Sequence, residues 1–164
     1  RLQNGGLYPA GIDHVVKGKN GTPGQLAGFV QLGTENKLGD IRNNTSLGIT
    51  GVISNEQYQF QEDKSCAVGC KQDVKKGKAS ILCQLGDKVQ EYEVEIEKIN
   101  LSSEDNKGME IHVTDPELLK KAGGIVQGMS GAPLLQDGKC IGAVTHVFVR
   151  DVTRGYATFL ENML

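Results

Sequence analysis

Gly123-Gly124-Ile125-Val126-Gln127-Gly128-Met129-Ser130-Gly131-Ala132-Pro133 carries the most informative residue pattern of this chain. Within it, Gly128-x-Ser130-Gly131-x-Pro133 has the residue types that present a serine as a nucleophile. A serine hydroxyl is weak in that role, so it must project from a tight turn toward a base. The backbone N–H groups of Gly128 and Ser130 could then converge on one point as an oxyanion hole. Glycine at 128 lets its peptide turn inward, because glycine tolerates positive φ. Gly131 leaves room for a substrate backbone, and Pro133 stiffens the start of the next strand. The competing reading is a plain Gly-Ser-Pro turn between strands.

The flanks decide between them. Trypsin-like serine proteases use this arrangement, and the run from Val113 to Leu164 resembles the peptidase domain of the stage IV sporulation protein B (SpoIVB) family of endospore-forming bacteria. The matching pieces are Val113-Thr114-Asp115-Pro116-Glu117-Leu118-Leu119, Gly123 to Gly131, Ile141-Gly142-Ala143-Val144-Thr145-His146-Val147-Phe148-Val149 and Thr153-Arg154-Gly155-Tyr156. Looser matches lie at Leu7-Tyr8-Pro9-Ala10, Lys17-Gly18, Gly21-x-Pro23-Gly24-Gln25-Leu26 and Gly28, whereas Lys64 to Asn106 carries little of the family's signature. The resemblance implies an all-β chain with the trypsin-like double β-barrel, two six-stranded Greek-key barrels. Here the N-terminal barrel would be incomplete. One short helix would precede the nucleophile turn and another would end the chain.

Composition agrees with a single serine peptidase domain over residues 1–164. A chain of 164 residues with 38% hydrophobic content can bury one core, or one compact pair of half-barrels. A net charge of −2 gives no reason to expect nucleic acid as a partner. Twenty-two glycines against four prolines point to a turn-rich β-protein. No apolar run reaches membrane-spanning length and no signal peptide is present. The start at Arg1-Leu2-Gln3-Asn4, without Met, reads as a processed or excised fragment. The four cysteines, Cys66, Cys70, Cys83 and Cys140, read as free or structural thiols. The Cys66-x-x-x-Cys70 spacing is wrong for a zinc ribbon, so no metal or cofactor is expected. A thiol or metal site at Cys66, Cys70 and Cys83 is the weakest rival.

Along the chain, residues 7–16 and 25–32 read as strands separated by a turn cluster. Leu47 to Ile53 reads as a bent strand, Tyr58 to Gln61 as a short edge piece, and Lys71 to Lys78 as a charged, solvated turn. Ala79 to Leu85 is a buried strand. In Lys88 to Asn100, Tyr92, Val94 and Ile96 alternate with Glu91, Glu93, Glu95 and Glu97, the pattern of a half-exposed strand with a wetted acidic face. Met109, Ile111 and Val113 alternate with Glu110 and His112, which places His112 on the wet side. Thr114-Asp115-Pro116-Glu117 is a helix start, ended by Gly123-Gly124. Leu134 to Ile141 is a hairpin about Asp137-Gly138. Ile141 to Val149 is a central strand, and Ala157 to Leu164 a short terminal helix.

Ser130 is the candidate nucleophile, with the N–H groups of Gly128 and Ser130 as oxyanion donors. The resemblance places the family's catalytic histidine in a Gly-His motif upstream of Tyr8-Pro9-Ala10, before this chain begins. The chain alone should then lack its general base. His14 falls after that segment and reads as structural or surface. By analogy with trypsin-like folds, Thr145 and His146 would line the pocket for the residue before the cut bond. His146 would share a face with Val144 and Phe148; the alternative is a hydrogen-bonded core histidine. A Ser130–His146 dyad is the lesser possibility. Asp115 matches the aspartate that the resemblance puts forward as third member of the triad; the competing role is a helix cap before Pro116.

The family implies a signalling endopeptidase with a PDZ domain and a membrane anchor upstream. It cuts itself and a regulatory protein partner in the space between the mother cell and forespore membranes. Its substrate is a protein or peptide, and the missing N-terminal segment could remain as a separate piece. The rival, of another class, is a catalytically inactive domain that holds a peptide on a protease scaffold.

Overall fold

The computed structural model describes residues 5–58, 65–103 and 105–164. In chain order its strands are β1 (Gly5–Leu7), β2 (Ala10–Val16), β3 (Gln25–Val30), β4 (Gly39–Thr45), β5 (Gly48–Ile53), β6 (Ala67–Val68), β7 (Gly77–Gln84), β8 (Val89–Ile99), β9 (Met109–Val113), β10 (Pro133–Gln136), β11 (Lys139–Val147) and β12 (Arg154–Phe159). One α-helix, α1 (Pro116–Ala122), stands between β9 and β10. Neighbouring strands run β10-β7-β8-β9-β12-β11, and β10 also pairs with β11, so these six close into a barrel. This is the C-terminal barrel of a trypsin-like all-β fold.

The barrel follows from period-two patterning. Tyr92, Val94 and Ile96 are fully buried while Glu91, Glu93 and Glu95 between them are exposed. Ile81, Met109, Ile111, Leu134, Val144, Ala157 and Phe159 complete the interior. Burying each such side chain contributes about 1.5–3 kcal/mol, enough to set the register of every strand. Where β7 and β10 splay apart, a side chain takes over from the ladder. Gln136, 8% exposed, donates to the carbonyls of Lys75 (2.9 Å) and Lys78 (3.0 Å) and accepts from the Lys75 N–H (2.9 Å). The hairpin between β10 and β11 turns at Asp137 (φ 51°) and Gly138 (φ 75°), the positive pair that a type I′ turn requires.

The N-terminal half is open. Its strands form a three-stranded sheet, β1-β4-β5, and a two-stranded one, β2-β3. Phe29, Val30, Leu32, Ile49 and Ile53 are exposed there, so the described residues leave the apolar surface of these sheets partly uncovered. Pro9 supplies no N–H, and the strand expected over 7–16 divides at Tyr8-Pro9 into β1 and β2. The strand expected over Leu47 to Ile53 is β5, and β4 precedes it in a hairpin whose turn is Ser46-Leu47. The edge piece expected at Tyr58 to Gln61 lies, apart from Tyr58, outside the described residues.

The expected terminal helix over Ala157 to Leu164 is corrected. Residues 154–159 form β12, which fills the barrel between β9 and β11, and only Leu160–Asn162 make a single 3-10 turn. The alternation Tyr156-Ala157-Thr158-Phe159 carries aromatic and β-branched residues that favour a strand. His112 sits on the outer face of β9 as expected, but half-buried, with Nδ1 3.5 Å from Glu97 Oε1. Glu97 also accepts from Arg154 at 2.9 Å.

Candidate active site

Helix α1 delivers the chain to the nucleophile turn. Asp115 caps it, with Oδ1 accepting the N–H of Glu117 and of Leu118 at 2.9 Å each, and Pro116 fits the first helical position, where no N–H is needed. The other oxygen, Oδ2, accepts from the Glu93 N–H at 3.3 Å, tying the helix start to β8. Leu118 and Ala122 anchor the helix in the core, and Gly123 ends it at φ 81°. Ile125, Val126 and Met129 then plunge into the core with 1–2% exposure each. Met129 Sδ accepts the buried Val126 N–H at 3.2 Å.

That anchoring thrusts the neighbours outward. Gly128 and Ser130 flank Met129 and are both exposed. The turn is held by Met129 N–H to Val126 O (3.2 Å) and Ala132 N–H to Met129 O (2.9 Å), and is tied to β11 by Gly131 N–H to Val144 O (2.8 Å). Gly128 has φ +100°, and its Cα faces the Leu26 side chain, so a Cβ there would meet strain and a neighbour at 3.1 Å. Among the described residues, neither the Gly128 N–H nor the Ser130 N–H has a hydrogen-bond acceptor. Two unused donors thus flank the candidate nucleophile.

Ser130 Oγ donates to the Thr145 carbonyl at 2.8 Å. It lines a cavity of about 420 Å³ together with Asn106, Thr145, His146, Thr158, Met163 and residues 44–49 of the β4–β5 hairpin. Thr145 and His146 therefore share a cavity with Ser130. The expected common face of Val144 and His146 is corrected by a β-bulge. Val144 pairs with Ala157 and His146 with Tyr156, so Thr145 is the extra residue. Val144 points into the core at 1% exposure while His146 is exposed.

None of the three histidines reaches Ser130 Oγ. His14 is exposed and paired with Asp13 Oδ2 at 2.8 Å. His112 faces Glu97 on the barrel's outer wall. His146 lines the cavity, yet the hydroxyl is bonded to Thr145 instead. Nor does any of them hydrogen-bond Asp115, which lines a separate groove with Glu91, Glu93 and Asp137. The four thiols are unpaired: Cys66 and Cys70 are exposed, whereas burial pushes Cys83 up to about 12.

Sequence reading gave no signal for Asn106, Met163 or the β4–β5 turn as cavity walls. They come from loops far apart in the chain, and only the folded barrel brings them beside Ser130.

Against this geometry, a family description, SpoIVB peptidase S55, matches residues 1–164, the whole chain. The chain belongs to the SpoIVB peptidase S55 family. No curated protein and no solved structure matched it. Membership makes the chain a peptidase of the SpoIVB type, acting on protein substrates. The match covers the open N-terminal half as well as the barrel. Among the described residues, no helix is long and apolar enough to cross a membrane.

Proposed function

We propose that this S55 peptidase works by acyl transfer through Ser130. The observation that carries the reading is the pair of unused N–H groups, Gly128 and Ser130, flanking an exposed serine hydroxyl at the edge of a cavity. Ser130 Oγ would attack the scissile carbonyl, and the two N–H groups would receive the developing oxyanion. The amine would leave, and water would then release the acyl group. A general base takes the Ser130 proton first and returns it to the leaving amine. In this reading the imidazole comes from outside residues 1–164, as the family resemblance implies, and must draw the hydroxyl away from Thr145.

Asp115 enters as the anchor of the helix that leads into the nucleophile turn. Both of its oxygens already accept backbone N–H groups, which supports that role over the triad acid implied by the resemblance. Self-cleavage, cleavage of a regulatory protein partner, and action between the mother cell and forespore membranes are family expectations that we carry as part of the proposal.

The test is labelling with a fluorophosphonate serine probe, on this chain and on the complete gene product, with Ser130→Ala as control. Labelling of the complete product at Ser130, with none on residues 1–164 alone, is expected. Labelling of both would assign the base to His146 or His14. A second reading, a peptide-binding domain without catalysis, is favoured by the Ser130–Thr145 bond, and absence of labelling in both proteins would support it. Incubating the active protein with its Ser130→Ala form as substrate tests self-cleavage in trans.

A further inference from the structure

The peptide that joins Gln127 to Gly128 is held from the side of β3. Its carbonyl accepts the Leu26 N–H at 2.8 Å, while the Gln127 N–H donates to the Gly24 carbonyl at 2.9 Å. Together these bonds make a parallel bridge to the start of β3. A trans peptide points its C=O and its N–H in opposite directions. With the Gln127 oxygen turned toward Leu26, the Gly128 N–H points away from β3, where it meets no acceptor among the described residues. Half a turn of that plane would present an oxygen in place of the donor, and glycine at 128 leaves such a rotation sterically open. The anchor is itself fixed. Gly24 is buried, and a Cβ there would collide with the Val16 carbonyl oxygen and the Gly18 nitrogen. The Gly18 N–H in turn donates to the Ala122 carbonyl at the end of α1 (2.8 Å), and Lys17 Nζ donates to the Lys120 carbonyl (3.0 Å). Both ends of the lead from Gly123 to Gln127 are thus tied to residues 17–26. Leu26 pairs with Val15 across β2 and β3, yet its N–H is spent on Gln127.

We propose that Leu26 is a positioning residue for the oxyanion site. Its backbone N–H, bonded to the Gln127 carbonyl, sets the Gln127–Gly128 peptide in the orientation that offers the Gly128 N–H to the oxyanion. The assignment rests on the Ser130 reading above, since it needs Gly128 as a donor. The Leu26 side chain plays a lesser part. Its Cβ, Cγ and Cδ1 lie 3.1–3.3 Å from where a Gly128 Cβ would stand, but apolar contact has no sense of donor and acceptor. Only the hydrogen bond distinguishes the two orientations of the plane. Without it they compete, and a donor in place for part of the time stabilises the transition state less.

The experiment replaces Leu26 in the complete gene product by its α-hydroxy acid, so that an ester oxygen stands where the N–H was and the side chain is kept. Leu26→Ala, which keeps the N–H, is the comparison, and thermal unfolding shows that each protein is folded. The ester is expected to lower kcat for a peptide substrate by about 10-fold or more, with KM held within about 2-fold. Affinity for a peptide boronate, whose tetrahedral adduct mimics the transition state, should fall by the same factor as kcat/KM. Affinity of an uncleaved peptide for the Ser130→Ala form should not change. Leu26→Ala should keep kcat within about 3-fold. In the unmodified protein, boronate binding should slow amide exchange at Leu26 together with Gly128, a result that needs no variant to fold. An ester form with full kcat, kcat and KM worsening in step, an equal loss in Leu26→Ala, or protection confined to residues 127–131 would overturn the assignment. Absence of fluorophosphonate labelling in the unmodified complete product sinks the Ser130 reading and this assignment with it. Normal labelling beside an ester form of full activity sinks this assignment alone.

Discussion

The hydroxyl of Ser130 points its proton at the carbonyl of Thr145, 2.8 Å away. A serine hydroxyl in that state is parked, because its proton rests on an amide oxygen that cannot act as a base. Ser130→Ala should therefore leave the fold intact, within about 0.5 kcal/mol, since an exposed side chain is removed. In the complete gene product it should cut peptide cleavage by a factor on the order of 10⁴ to 10⁶. Peptide turnover and thermal unfolding, measured side by side, check both parts.

Gly128→Ala meets two penalties. Its φ of +100° is strained for any L side chain, and the new methyl would press on Leu26. We expect a destabilisation of about 1–3 kcal/mol. We also expect a fall in kcat of about 10²- to 10³-fold as one oxyanion donor is displaced. A KM little changed beside a lowered kcat would separate the donor's loss from general unfolding.

For Asp115 the cap geometry gives a different signature. Asp115→Ala removes the acceptor for Glu117, Leu118 and Glu93, and should cost about 1–2 kcal/mol. Asp115→Asn keeps one oxygen for the helix and should recover most of that. Activity should track the folded fraction in both variants. A collapse of kcat in fully folded Asp115→Asn would instead make it a triad acid.

Gln136 stands in for missing ladder bonds between β7 and β10. Gln136→Ala leaves the Lys75 N–H and two carbonyls without their partner. Lys75 and Lys78 are exposed residues, so water replaces only part of what the buried Gln136 side chain supplied, and each group left unmet costs about 1–3 kcal/mol. The expected loss is about 2–4 kcal/mol, read from denaturant midpoints.

Alkaline pH should weaken the fold through Cys83. Burial raises its thiol from 9.0 to about 12. Between those values the unfolded chain releases a proton that the native chain holds, so stability falls as pH rises. The Cys83 contribution to the slope approaches about 1.4 kcal/mol per pH unit and is lost in Cys83→Ala, leaving the smaller part that Cys140 and Tyr92, also raised by burial, contribute. Thiol reagents near neutrality should modify Cys66 and Cys70 but reach Cys83 only after unfolding.

How far the chain could be read from its letters depended on how local each constraint was. The helix start at Asp115-Pro116, the Asp137-Gly138 turn and the alternation in β8 are set by neighbours two to four residues apart. Each was legible. The outward thrust of Ser130 needed only the buried Met129 and Val126 beside it. Tertiary demands defeated the pattern elsewhere. Phe159 and Ala157 look equally at home in a helix, but barrel closure claims them for β12. The bulge at Thr145 reverses His146 relative to Val144, and no feature of Val144-Thr145-His146 announces an extra residue. Asn106 carries no signal at all, because its importance comes from Ser46, sixty residues earlier.

The nucleophile turn is stitched to the open half of the molecule. Gln127 donates to the Gly24 carbonyl at 2.9 Å and accepts from the Leu26 N–H at 2.8 Å, so it pairs directly with the start of β3. Gly128, the next residue, is the candidate oxyanion donor. A polypeptide segment that completed the β2-β3 sheet would thus pull on the candidate oxyanion donor through a single peptide unit. Assembly of the N-terminal half and competence of the serine would rise and fall together. Such a coupling would act as a safety catch: with that sheet uncompleted, the serine would be present but unarmed.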